Sequence, residues 1–201
     1  MADPEIPELT PTPVSEPLTQ AQVWDETRRP TRTVPPLGAD YIRRGRAAAA
    51  SLKRIHDHLR GELATIRDLV EQVARGELTV HEAHVGLNEM SVRQNNWALG
   101  AYCASYCHLV AAHHGGEDRE IFPNLRWREP GLAPVLERLQ HEHVVIHELL
   151  DAVDRALVAL VGGDATVVDL RSRVDTLSDA LLSHLAYEET HLLEAFARYY
   201  A

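Results

Sequence analysis

Residues 111–125 read AAHHGGEDREIFPNL. The run leading into them, from Trp97 to Ala112, is rich in helix-forming residues. Two histidines, two glycines and then acids are poor material for extending a helix, since each glycine costs about 1 kcal/mol against alanine. Spacing supplies the reason. His113 and Glu117 are four residues apart, one helical turn, so both side chains can reach one point. The line Tyr102, Tyr106, Leu109, His113, Glu117 is expected to face a core, with His114 and His108 turned about 100° and 140° away. Gly115 and Gly116 take no space beside this pair and are expected to let helices or a ligand approach closely. Pro123 is expected to end the helix.

Outward from this segment, the 3.6-residue period recurs along the rest of the chain. A first helix is expected over 40–75, with the stripe Leu52, Ile55, Leu59, Leu63, Ile66, Leu69, Val70, Val73 and a stop at Gly76. Residues 79–86 read as a short connecting helix, and 89–120 as the second long one. The third runs over 132–161, with Pro134 suited to its first turn, the stripe Leu136, Leu139, Ile146, Leu150, Val153, Leu157, and Gly162-Gly163 to close it. The fourth starts near Asp164 and reaches 198, with Leu170, Val174, Leu177, Leu181 and Leu192. No strand-like alternation competes. Long helices with short links predict an all-α fold, an antiparallel up-down-up-down four-helix bundle over 40–201.

Residues 1–39 differ in kind. Eight of the eleven prolines fall within 1–36, and this acidic, Pro-rich tail is expected to be disordered. Val23-Trp24 has no evident docking target in the sequence. The net charge of −10, with a basic cluster no longer than Arg28, Arg29 and Arg32, speaks against nucleic acid as a partner. No run of about 18 apolar residues suggests a membrane span, and MADPEIPELTPTP has no secretory pattern. Cys103 and Cys107, four apart on a helix, are expected to be free thiols in a reducing cytoplasm.

Twelve histidines are distributed over this chain. His58 falls inside the first stripe and His56 outside it. His143 and His147 interrupt the third stripe, and the fourth carries His184 and Glu188, with Glu189 a rival one position on and His191 a turn further. Every helix thus offers a core histidine: His58, His113 with Glu117, His143 and His147, His184 with Glu188. Burying such groups unpaired is very costly; metal binding removes the cost. Seven ligands exceed one tetrahedral zinc and suit two metals bridged by carboxylates. Mixed imidazole and carboxylate ligation favours iron or manganese.

The stretches IHDHLRGEL, AHHGGEDREIFPNL, HEHVVIHELLD and SHLAYEETHLL, in the order H…HxxxE…HxxxH…HxxxE, resemble the hemerythrin-like, or HHE cation-binding, family over about 50–198. The resemblance implies two non-haem irons in a four-helix bundle, with manganese or a mixed Fe/Mn pair as the alternative. His143, His147 and His184 would hold one iron, His58 and His113 the other, and Glu117 and Glu188 would bridge. The second iron would keep an open position for O2, peroxide or nitric oxide. Oxygen-carrying members place the last carboxylate as H-x-x-x-x-D, whereas His184-x-x-x-Glu188 matches the broader bacterial group. The expected function is gas or redox binding or sensing. The alternative is a di-iron oxidoreductase acting on O2 or peroxide, with a small organic substrate or peroxide removal, in which Tyr102, Tyr106 and Tyr187 would serve electron or proton transfer.

Overall fold

Buried residues recur along each long segment at alternating intervals of three and four, the pattern of helices packed around a shared seam. In α1 (Ala39–Ala74) they are Ala49, Leu52, His56, Leu59, Leu63, Ile66 and Val70. In α4 (Ala133–Gly162) they include Leu136, Leu139, His143, Ile146, Leu150, Val153 and Leu157. In α5 (Val167–Tyr199) the line is Leu170, Val174, Leu177, Leu181, His184, Glu188, Leu192 and Ala195. The computed structural model describes residues 10–32, 39–77 and 88–200, and among them there is no strand. The remaining rod is α2 (Asn88–Gly116), continued by a π-helical turn (Glu117–Ile121) into α3 (Phe122–Arg128). A short 3-10 turn (Pro130–Leu132) leads from α3 into α4. The expected connecting helix at 79–86 lies outside the described residues.

The four rods close a ring: α1 packs on α5 and α2, and α4 packs on α5 and α2. Their interior divides into two apolar layers. One gathers Leu59, Leu63, Tyr106, Val110, Ile146, Leu150, Leu177 and Leu181 with their neighbours. The other gathers Leu52, Phe122, Leu125, Leu136, Leu139, Leu192 and Phe196 with theirs. On every rod the residues between these layers are histidines and glutamates. Burial of each such leucine or phenylalanine contributes about 1.5–3 kcal/mol, so the layers hold a polar slab at a fixed height between them.

Local signals set the ends. Thr166 caps α5 by accepting from the Asp169 N–H while the Asp169 carboxylate accepts from the Thr166 N–H, a complete capping box. Gly163 ends α4 in the left-handed conformation with φ 85°, which glycine adopts without strain. Gly45 serves close approach: a Cβ there would overlap the Ala197 backbone of α5. Among the described residues no helix is long and apolar enough to cross a membrane. Cys103 and Cys107 are free.

Two expectations are corrected. Pro123 does not end the helix. Proline clashes with the carbonyl four residues back in an α-helix, and the wider π turn immediately before it relieves that constraint, so the rod continues to Arg128. The disordered tail does not hold for residues 10–32. They lie along the bundle, with the Leu18 and Thr19 N–H groups donating to Asp179 at 2.8 Å each and Trp24 packed on the core. Composition indicates that this segment cannot order itself; the helices present carboxylates that order it.

Thr166→Ala is expected to cost about 1 kcal/mol in urea unfolding with an unchanged slope. Gly45→Ala is expected to cost about 1–3 kcal/mol, because α1 and α5 must separate.

Candidate metal centre

The polar slab is built from adjacent residues that straddle the core line of α2. His113 and His114 sit about 100° apart on the helix and reach different neighbours. His113 joins His56, Glu117 and Glu188, and His114 joins His143 and His184; within each group the donor atoms lie within 4.8 Å of one another. The carboxylates lie between the groups. Glu117 Oε1 is 3.3 Å from His113 Nε2 and its Oε2 is 3.6 Å from His143 Nε2. Glu188 Oε2 is 3.5 Å from His56 Nε2 and 3.7 Å from His184 Nε2. Each carboxylate therefore faces one imidazole from each group. His143 is held between two rings, stacked at 3.9 Å on His114 and at 5.5 Å on Phe122.

The π turn gives α2 and α3 this register. The buried residues Val110, His114, Glu117, Phe122 and Leu125 are spaced 4, 3, 5 and 3. In an α-helix Phe122 would point about 140° away from Glu117. The Phe122 N–H instead bonds the Glu117 carbonyl, absorbing one extra residue, so glutamate and phenylalanine both face inward. A Cβ on Gly116 would meet nothing within 4 Å, and one on Gly115 would meet only the flexible end of Arg119. The two glycines thus do not serve close approach of another helix.

Outer carboxylates orient the rings. His56 Nδ1 lies 3.0 Å from Glu189, His143 Nδ1 3.0 Å from Asp118, and His184 Nδ1 3.1 Å from Glu142. An ionised carboxylate only accepts, so each Nδ1 carries the hydrogen and Nε2 is the ring nitrogen turned to the centre. Those Nε2 atoms, with His113 Nε2, both His114 nitrogens and all four oxygens of Glu117 and Glu188, are buried without a hydrogen-bond partner. Orphaned donor-capable atoms in such number have a physical explanation in a bound cation.

Electrostatics agree. Burial lowers His113 to about 4, lowers His114 well below its ordinary value and lowers His184, so these rings are neutral donors at pH 7. Burial, then the Glu188 charge, pushes Glu117 well above the usual carboxylate range. Burial acts likewise on Glu188, but it is opposed by the positive charge that His56, His113, His184 and His143 carry when protonated, and the net direction is downward. Against their burial, Glu142 and Glu189 are held at about 2, Glu142 by hydrogen bonds from His184 and Arg29, Glu189 by those from His56, the Thr12 N–H and Arg60.

Of the residues singled out from sequence, the structure brings together His113, Glu117, His143, His184 and Glu188. His58 is corrected: its side chain is 59% exposed, 3.7 Å from Glu62, and His56, fully buried, takes the inward position. A stripe that includes Ile55 sets a different helix phase, yet Ile55 is 42% exposed. The signal was available in Leu52, His56, Leu59, Leu63, Ile66, Val70, whose intervals alternate four and three. His114 is likewise buried rather than turned away, because the seam of α2 runs through Cys103, Tyr106 and Val110. His147 is half-buried, its ring 5.3 Å from His114, outside both groups. Glu189 supports His56 and does not join a group. The Tyr106 hydroxyl donates to the Leu59 carbonyl and that of Tyr187 to the Pro30 carbonyl. The Tyr102 side chain lies outside the described residues.

A family model described as Hemerythrin HHE cation binding domain matches residues 47–196, about three quarters of the chain. No curated protein and no solved structure matches significantly.

His56→Ala and His114→Ala are each expected to weaken metal retention by more than about tenfold, beyond the lower bound typical of outer-shell changes. His58→Ala is expected to leave it unchanged. Metal per chain after dialysis checks all three.

Proposed function

The chain belongs to the hemerythrin HHE cation-binding family, and on that premise we propose that it holds two iron ions and binds O2, nitric oxide or peroxide as a gas or redox binding protein. One observation carries this: two buried carboxylates each face an imidazole from both groups, with no hydrogen-bond partner outside the pair on any of the four oxygens. That arrangement suits a bridged pair of cations. His114, His143 and His184 would hold one ion and His56 and His113 the other, with Glu117 and Glu188 between; manganese shares the preference for these donors. Two ferrous ions would supply electrons and an open coordination position for a small ligand.

The protein supplies the enclosure. The donor side chains are nearly free of solvent contact. Cavities of about 630 and 360 Å³ are lined by residues 14–27 with parts of α1 and α5, and by Leu18 with α1 and α5, and contain no donor residue. A site so enclosed suits a ligand of two or a few atoms better than an organic substrate. The bundle would run up-down-up-down. Leu52, Phe122, Leu136 and Phe196 share one layer, while Val70, Cys103, Leu157 and Leu170 share the other, the order that alternating directions produce.

Elemental analysis, followed by absorption spectra of the anaerobic iron-loaded protein before and after O2, tests this. Two irons per chain and a charge-transfer band that reverses on deoxygenation are expected. Absence of iron from a chain offered Fe(II) sinks the reading. Irreversible oxidation with peroxide consumed would replace it with an oxidoreductase.

Metal uptake is also expected to release about one proton, displaced from Glu117. Because Glu117 titrates above its ordinary value, affinity rises with pH, by up to about tenfold per unit, until that value is passed. His113, titrating at about 4, adds no proton near neutrality. Calorimetry in buffers of different ionisation enthalpy measures the proton, and Glu117→Gln is expected to abolish its release.

A further inference from the structure

We infer that residues 10–32 form a strap whose Arg29 positions the His184 ring, and so sets part of the metal-facing donor array from outside the bundle. Arg29 reaches Glu142 with both arms of its guanidinium, Nε to Oε1 at 2.8 Å and Nη2 to Oε2 at 2.9 Å. Glu142 Oε2 is also the oxygen 3.1 Å from His184 Nδ1. Arg138 holds Glu142 as well, from its own helix, but at Oε1, 2.7 Å away. Among the described hydrogen bonds, Arg29 is the cation that fixes the oxygen on which His184 depends.

Arg29 is itself anchored on several sides. Its Nη1 donates to Ser183 Oγ at 2.8 Å. The guanidinium lies over the Tyr187 ring at 4.7 Å and the Trp24 ring at 5.4 Å. The Tyr187 hydroxyl donates to the Pro30 carbonyl next in sequence. With 8% of its side chain exposed, Arg29 is a desolvated charge whose removal leaves Glu142 short of a bidentate partner. Planar two-point contact of this kind orients a carboxylate as a single lysine contact cannot.

The strap repeats the device on the other group. The Thr12 N–H donates to Glu189 Oε2 at 2.7 Å, and Glu189 Oε1 lies 3.0 Å from His56 Nδ1. One strap therefore supports one histidine from each group through one intervening carboxylate. Second-layer partners of ligating histidines fix ring orientation and tautomer. Here both are gripped by a segment outside the matched region 47–196. Deleting residues 1–36 is accordingly expected to weaken metal binding.

The inference rests on the metal-centre reading, and the test separates the two. Full-length wild type, Arg29→Ala, Arg29→Lys and Asp179→Asn are compared. Asp179→Asn weakens the strap at Leu18 and Thr19 without touching Glu142 or Glu189. Two readouts are taken: anaerobic Fe(II) affinity against a competing chelator, and the ring-nitrogen NMR shifts of His184 in metal-free protein. Arg29→Ala is expected to lower Fe(II) affinity by about 10–100-fold and to mix the His184 tautomers. Arg29→Lys should fall between, and Asp179→Asn should keep both wild-type values. Wild-type affinity and shifts in Arg29→Ala, or equal losses in Asp179→Asn, would overturn the inference. Wild type that takes no Fe(II) refutes the metal reading, while the His184 shifts still decide whether Arg29 positions the ring.

Discussion

Burial of polar atoms without partners is the constraint on which the rest depends. A leucine-rich bundle gains from every apolar side chain it encloses, yet this one encloses five imidazoles and the four carboxylates of Glu117, Glu142, Glu188 and Glu189 in a single slab. Removing them from water costs several kcal/mol unless something replaces the water. Partial replacement is visible: three Nδ1 atoms have carboxylates. The facing Nε2 atoms and the oxygens of Glu117 and Glu188 do not. The protein thus satisfies the outward half of its site and leaves the inward half for a cation, which couples metal binding to the stability of the fold.

The π turn shows how local backbone geometry serves that constraint. Adjacent histidines on one helix can join two groups of side chains only if they straddle the seam. The helix must then return Phe122 and Leu125 to the core after Glu117 has taken its place. An extra residue in one turn does this and admits Pro123 as well. Glycine at 115 and 116 keeps this stretch free of side chains; the Arg119 guanidinium lies beside Gly115.

The outer carboxylates connect the slab to the surface. Asp118 is supplied from the π turn itself, whereas Glu142 and Glu189 are shared with residues 10–32. Buried arginine against buried carboxylate adds little net stability but fixes geometry. The order found in a Pro-rich segment is therefore imposed from outside: its arginines and N–H groups dock on carboxylates that the helices hold in place. Arg32 extends the same logic, pairing with Glu129 and donating to the His191 carbonyl.

Helical class, the number of long helices, and five residues that the fold brings together, His113, Glu117, His143, His184 and Glu188, were legible in the sequence, because a period of three and four residues is a property of the chain alone. Phase was less legible. Ile55 and His58 fit a stripe as well as Leu52 and His56 do, and only packing of α1 against α5 and α2 shows which set is buried. His114 was hidden for the same reason, since a 100° offset excludes a residue from one seam yet admits it to a second group of side chains. The π turn leaves no periodic trace short enough to recognise before the core is assembled. The strap belongs wholly to tertiary structure: Arg29 and Glu142 are 113 residues apart, and their pairing arises from where the folded helices place a buried carboxylate.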